Sequence, residues 1–185
     1  MKVEATAIPG VIMVEPRAFS DDRGVFFETW NQERYAIAGV PEAFVQDNVS
    51  RSARGVLRGL HYQQPNAQGK LLSVLEGEIF DVAVDIRHGS PTFGQWVGMT
   101  LSAVKRQQLY VPAGCAHGFQ ALSESATVLY KCTDYYHPSS EQSILWCDEE
   151  LAIPWTLPPI LSDKDRDAPL LRDIPRDRLP EYSAP

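Results

Sequence analysis

The stretch GVLRGLHYQQPNAQGK, residues 55–70, brings Arg58, His61 and Lys70 close together in the chain. An imidazole is basic near neutral pH and can take a proton from a carbon made acidic by a neighbouring carbonyl. An ammonium group beside it can hold the oxyanion that forms as the proton leaves. That pairing suits enolate chemistry. His117, in VPAGCAHGF, and Tyr130, in TVLYK, add two more groups able to bond or move protons. If Tyr130 faces the same cavity as His61 from the opposite side, its phenol can return a proton to the other face of a planar intermediate. Each residue alone has a plainer reading: a satisfied core histidine, a solvated lysine, a packed tyrosine. Convergence of all of them on one barrel mouth is what chemistry requires. Tyr135 and Tyr136 are either packing residues or a flat surface for a base or sugar.

These groups lie among short runs rich in β-branched and aromatic residues, separated by Gly, Pro, Asn and Ser. Strands are expected over residues 11–14, 25–30, 44–50, 55–61, 69–75, 78–86, 93–101, 107–111 and 126–133, which indicates an all-β sandwich or barrel. The first, closed by Glu15-Pro16, suits a sheet edge. Residues 31–38 carry the best helical signal, with Asn31 as N-cap and Gly39 just past the end. Strict alternation along residues 57–62 places Arg58, Leu60 and Tyr62 on one face and Leu57, Gly59 and His61 on the other. From Ile153 the prolines multiply, and residues 153–185 read as an irregular extension that wraps the barrel or reaches a neighbouring subunit.

With 185 residues, of which 44% are apolar, the chain is expected to form one globular domain. A net charge of -7 argues against a nucleic-acid or anionic-membrane partner, so an anionic ligand must be held by a local basic cluster. The opening MKVEATAIPG lacks the pattern of a secretory signal, and no apolar run is long enough to cross a bilayer, so a cytoplasmic location is expected. Cys115, Cys132 and Cys147 fit neither a disulfide framework nor a zinc pattern and are read as reduced thiols.

Residues 55–76 and 89–120 resemble the two sequence signatures of the cupin superfamily, with Pro112, Gly114 and His117 at its spacing. Gln63 stands where a second metal histidine is found, so no metal and no other cofactor is expected. The resemblance extends along nearly the whole chain to the dTDP-4-dehydrorhamnose 3,5-epimerase family. It is carried in order by DRG (22–24), FE (27–28), FVQDN (44–48), VLRGLHYQ (56–63), QGKL (68–71), FDVAVDIR (80–87), SPTFG (90–94), VPAG (111–114), AHGF (116–119), LYK (129–131), YY (135–136) and SDKD (162–165).

The resemblance implies a cupin-type double-stranded β-helix, or jelly roll, with short peripheral helices, assembled as a homodimer. It implies His61 as base, Asp165 holding its imidazole, Lys70 stabilising the enolate oxygen at C4 and Tyr130 protonating the opposite face. Asp81 and Asp85 stay open as alternative carboxylate partners of His61. Arg23, Glu28, Gln46, Asp47, Asn48, Arg58, His117, Glu141 and Lys164 match positions that bind the dTDP-sugar, and Tyr136 matches an aromatic that packs on it. Tyr110 departs from the tryptophan more usual before the Val-Pro pair. Rival readings are an epimerase acting at C3 or C5 alone, a ketoisomerase, and a non-catalytic sugar-binding cupin.

Overall fold

The computed structural model describes residues 1–40 and 43–183. In chain order the elements are β1 (Lys2–Ala5), β2 (Ile12–Glu15), β3 (Ala18–Asp21), β4 (Gly24–Phe27), α1 (Gln32–Ile37), β5 (Gln46–Ala53), β6 (Leu57–Gln63) and β7 (Lys70–Glu76). They continue with β8 (Glu78–Asp85), β9 (Trp96–Ser102), β10 (Gln108–Val111), β11 (Cys115–Ala121), β12 (Ser125–Cys132), β13 (Glu141–Ser143) and α2 (Asp163–Arg166). A six-stranded sheet in the order β1-β2-β10-β7-β12-β5 faces a five-stranded sheet in the order β13-β6-β11-β8-β9, and β3–β4 forms a separate hairpin. The named strand pairs are antiparallel, as a jelly roll of the cupin type requires.

Alternation in β7, β10 and β12 sends Leu72, Val74, Leu109, Val111 and Val128 inward to meet Ile79, Ala83, Leu101 and Phe119 from the other sheet. The five-stranded sheet is also covered on its outer face. There Leu60, Val82, Val84 and Ala116 pack against Ile144, Leu151, Ile153, Leu171, Ile174 and Leu179. The proline-rich C-terminal segment is therefore a cover for a sheet face, which explains why β8 is buried on both sides. A smaller cluster of Val14, Tyr35, Val40, Leu71 and Tyr110 joins α1 to the six-stranded sheet. Asn31 caps α1 by accepting from the Arg34 N–H at 3.1 Å, as expected. Among the described residues no helix is long and apolar enough to cross a membrane.

Two strand expectations are corrected. The 11–14 run is not at an edge, because β2 lies between β1 and β10. Its outer neighbour β1 (KVEA) is exposed at every residue and carries no apolar alternation to announce it. β11 was not anticipated either. Its sequence, CAHGFQA, is buried at every position between β6 and β8, so it has no polar face to alternate with.

A buried ion pair anchors the end of β8. Asp85 is fully buried and accepts from Arg87 Nε and Nη2 at 2.9 Å each, from the Arg87 N–H at 3.0 Å, and from Ser90 Oγ and Thr92 Oγ1 at 2.6 Å each. Burial pushes the Asp85 pKa up, but these donors outweigh it and hold the carboxyl below its ordinary value. The carboxylate thus contributes stability that is present above the unfolded pKa and is lost as pH falls through the lower folded one. Asp85→Ala strands a buried guanidinium and should cost about 3–5 kcal/mol in urea unfolding near neutral pH. The difference from wild type should shrink as acid protonates Asp85.

Candidate active site

A cavity of about 380 Å³ opens between the two sheets and is lined by residues of both. From β6 come Arg58 and His61, from β11 His117 and Phe119, from β7 Lys70, and from β12 Tyr130 and Cys132. Strict alternation would separate Arg58 from His61. The structure puts both on the cavity side because His117 pairs with His61 while Phe119 pairs with Arg58, so three steps along β6 face two along β11. This bulge is built on glycines. Gly59 has φ +133, and a Cβ there would fall 2.5 Å from the Gly118 Cα.

His61 Nε2 lies 2.5 Å from Asp165 Oδ1. Asp165 is only 3% exposed and sits on α2, whose N-cap Ser162 accepts the Asp165 N–H at 3.2 Å. Burial lowers the His61 pKa, and Asp165 pulls it back up without restoring it. Burial raises the Asp165 pKa, but its bonds to His61 and Ser162 leave it below the ordinary value. An ionised Asp165 takes the Nε2 proton in a hydrogen bond and leaves Nδ1 as the basic nitrogen. The other carboxylates left open by the sequence are occupied elsewhere. Asp81 bonds His117 Nε2 at 3.0 and 3.1 Å, and Asp85 bonds Arg87.

Lys70 begins β7, opposite Cys132. Burial lowers its pKa, and among the described residues no carboxylate lies within ion-pair distance of it. The site therefore holds a cation whose charge becomes more favourable as negative charge develops nearby. Tyr130 stands on the opposite sheet from His61. Burial raises its phenol pKa, which keeps it protonated and able to donate. Arg58, which lines the cavity, donates from Nε to Ser52 Oγ at 3.1 Å.

Gln46 and Asn48 line the cavity and bond each other at 3.1 Å. Asp47, between them, points to the other face and pairs with Lys131 at 2.8 Å, because successive strand residues alternate. It is not brought to the cavity. Nor are Arg23 and Glu28. Arg23 pairs with Asp21 at 2.6 Å and is 90% exposed, while Glu28 pairs with Arg34. Tyr136 and Glu141 form the rim, where Tyr136 OH donates to Glu141 Oε2 at 3.1 Å and Lys164 pairs with Glu141 Oε1 at 2.8 Å. Gln63 is held by backbone groups: its amide nitrogen donates to Asn66 O and Tyr135 O, and its oxygen accepts from the His137 N–H. Among the described residues no group of three or more His, Cys, Asp or Glu is placed to hold a metal ion.

Ser50, Gln68, Phe119 and Cys132 also line the cavity and were not anticipated. For Ser50 the signal was present, since it continues the alternation of Gln46 and Asn48. Cys132 became a cavity residue only through pairing with Lys70, and all three cysteines are free thiols.

A family model described as dTDP-4-dehydrorhamnose 3,5-epimerase matches residues 5–173. The dTDP-4-dehydrorhamnose 3,5-epimerase of Pseudomonas aeruginosa is 58% identical over 176 residues, covering 94% of this chain and 97% of its own. The crystal structure of a Legionella pneumophila dTDP-6-deoxy-D-glucose-3,5-epimerase in complex with dTDP-4-keto-L-rhamnose superimposes with a TM-score of 0.96 at 53% identity, covering 99% of both chains. A 3'-monoepimerase from Streptomyces bikiniensis in complex with dTDP-quinovose superimposes with a TM-score of 0.90 at 37% identity, covering 96% of this chain and 92% of that one. Motif order, site geometry and full-length similarity agree, and the chain belongs to the dTDP-4-dehydrorhamnose 3,5-epimerase family.

Proposed function

We propose that this protein is an isomerase that converts dTDP-4-dehydro-6-deoxy-glucose to dTDP-4-dehydro-L-rhamnose by inverting C3 and C5. The observation that carries the reading is the placement of the Asp165-oriented His61 and of Tyr130 on opposite walls of one cavity. The C4 carbonyl acidifies the hydrogens on both neighbouring carbons. His61 takes one of them, the electron pair moves into the ring to give an enolate, and Lys70 stabilises the charge on O4. Tyr130 then delivers a proton from the other side, and the new C–H bond has inverted configuration. The two inversions are alike chemically, so one set of groups serves both once solvent has taken the proton from His61 and returned one to the Tyr130 phenolate, and the electron count needs no redox partner.

Arg58, His117, Gln46 and Asn48 bind the sugar nucleotide in this reading, with Tyr136 packing on the base and Glu141 and Lys164 closing the rim. The chain acts as one catalytic unit, in which residues 153–183 cover the outer sheet face and supply Asp165. Phe19, Val25 and Phe26 on the β3–β4 hairpin are exposed, and β5 is an unpaired sheet edge, features that a second subunit would cover. We therefore also propose a cytoplasmic homodimer. Since Arg23 and Glu28 stand outside their own chain's cavity, their contact with nucleotide would be made across that dimer. The similarity to a monoepimerase keeps inversion at a single carbon as the second reading. A binding-only cupin is disfavoured because binding needs no acid and base on opposite walls.

The deciding experiment is proton NMR of the 4-keto sugar nucleotide in deuterium oxide with catalytic protein. Deuterium should enter at C3 and C5 with wild type and at neither with His61→Ala. Incorporation at one carbon would replace the proposal with the monoepimerase reading, and none with wild type would end it. Asp165→Asn should lower kcat by about 10²–10⁴-fold by freeing the imidazole tautomer and orientation. Because His61 already titrates below its ordinary value, the acid limb of wild-type kcat/KM should lie below about pH 6.5. Losing the carboxylate that raises the His61 pKa should move that limb further toward acid. Light scattering should give twice the 20.7 kDa chain mass, and a monomer at assay concentration would rule out the dimer.

A further inference from the structure

Four polar side chains alternate on one face of β5, Gln46, Asn48, Ser50 and Ser52, and the first three line the cavity. Three have partners. Gln46 bonds Asn48 and accepts the Tyr136 N–H at 2.9 Å, Asn48 Nδ2 donates to Cys132 Sγ at 3.6 Å, and Ser52 Oγ accepts Arg58 Nε. Ser50 differs. Its hydroxyl is buried in the cavity wall and has no hydrogen-bond partner among the described residues, an arrangement that costs stability unless something else completes it. No role for Ser50 follows from the proton-transfer groups.

The distribution of cations says what could complete it. Lys164 at the rim is paired with Glu141, which leaves Lys70 and Arg58 as the cavity's cations without a carboxylate partner among the described residues. With Lys70 assigned to the enolate oxygen, Arg58 is the cation left for a diphosphate. Ser52 fixes Arg58 through Nε, and Ser50 is the adjacent inward-facing residue of the same strand.

We propose that Ser50 is a further substrate-binding residue, whose hydroxyl turns about χ1 to donate to a diphosphate oxygen held by Arg58. The hydroxyl thus gains in the bound nucleotide a partner that it lacks among the described residues. Ser52 acts one step removed, as the residue that positions Arg58. This inference rests on the nucleotide-sugar reading and extends it to the groups that hold the diphosphate.

Calorimetric titration of dTDP into wild type and Ser50→Ala, with thermal unfolding of both proteins without ligand, tests it. Ser50→Ala should bind dTDP roughly tenfold more weakly, as expected for loss of one hydrogen bond to a charged group. Its unliganded melting temperature should be unchanged or slightly higher, because no bond is lost from the resting protein. Equal dTDP affinity in the two proteins would overturn the assignment while leaving the epimerase reading intact. A lowered melting temperature, or failure of the variant to fold, would make the hydroxyl structural and overturn it too. Failure of wild type to bind dTDP would remove the reading on which it rests.

Discussion

The contact between His61 and Asp165 joins residues 104 positions apart, and much of the architecture is needed to make it. Asp165 reaches the cavity only because the chain returns after the last strand and crosses the five-stranded sheet. Ile153, Leu171, Ile174 and Leu179 hold that return against the sheet's outer face by apolar burial. Ser162 caps the short helix so that the next turn points a carboxylate at the imidazole. A carboxylate this deeply buried is tolerable only with partners, so the segment that covers the sheet and the His61–Asp165 pair depend on each other.

The same economy governs charge. The chain is acidic, and several of its peripheral cations are matched: Arg23 with Asp21, Arg34 with Glu28, Lys131 with Asp47 and Arg172 with Glu150. Such exposed pairs contribute little to stability, but they neutralise cations that would otherwise attract anions elsewhere on the surface. Lys70 and Arg58, by contrast, pair with no carboxylate among the described residues. Their charge is available to an anionic ligand, and the low local dielectric makes it count for more than it would at the surface.

Backbone irregularity at one point aligns these groups. Gly59 and Gly118 approach so closely that neither tolerates a side chain, and the bulge they permit brings Arg58 round to the side of His61. A regular strand would turn the guanidinium to the outer, apolar cluster, where it would find neither ligand nor water. The motif VLRGLHYQ thus combines a guanidinium, an imidazole and the glycine that lets them share a face.

Local patterns in the sequence were sufficient for the α1 caps, most of the alternating strands, an all-β sandwich or barrel and the types of group that could transfer protons, while the jelly-roll class came from the family resemblance. Strand propensity, capping and residue chemistry act over a few neighbours, so they can be read from neighbours. Which of Asp81, Asp85 and Asp165 serves His61 could not be, because all three are equally able carboxylates and only packing separates them. The position of Arg58 depended on a register shift with β11, and β11 itself hid because burial on both faces erases alternation. Asp47, Arg23 and Glu28 matched a motif yet stand away from the cavity, which only their ion pairs and strand faces reveal. The chain's own order determined the chemical repertoire; the tertiary structure decided which members of it meet, because meeting depends on register and long-range packing that no short window contains.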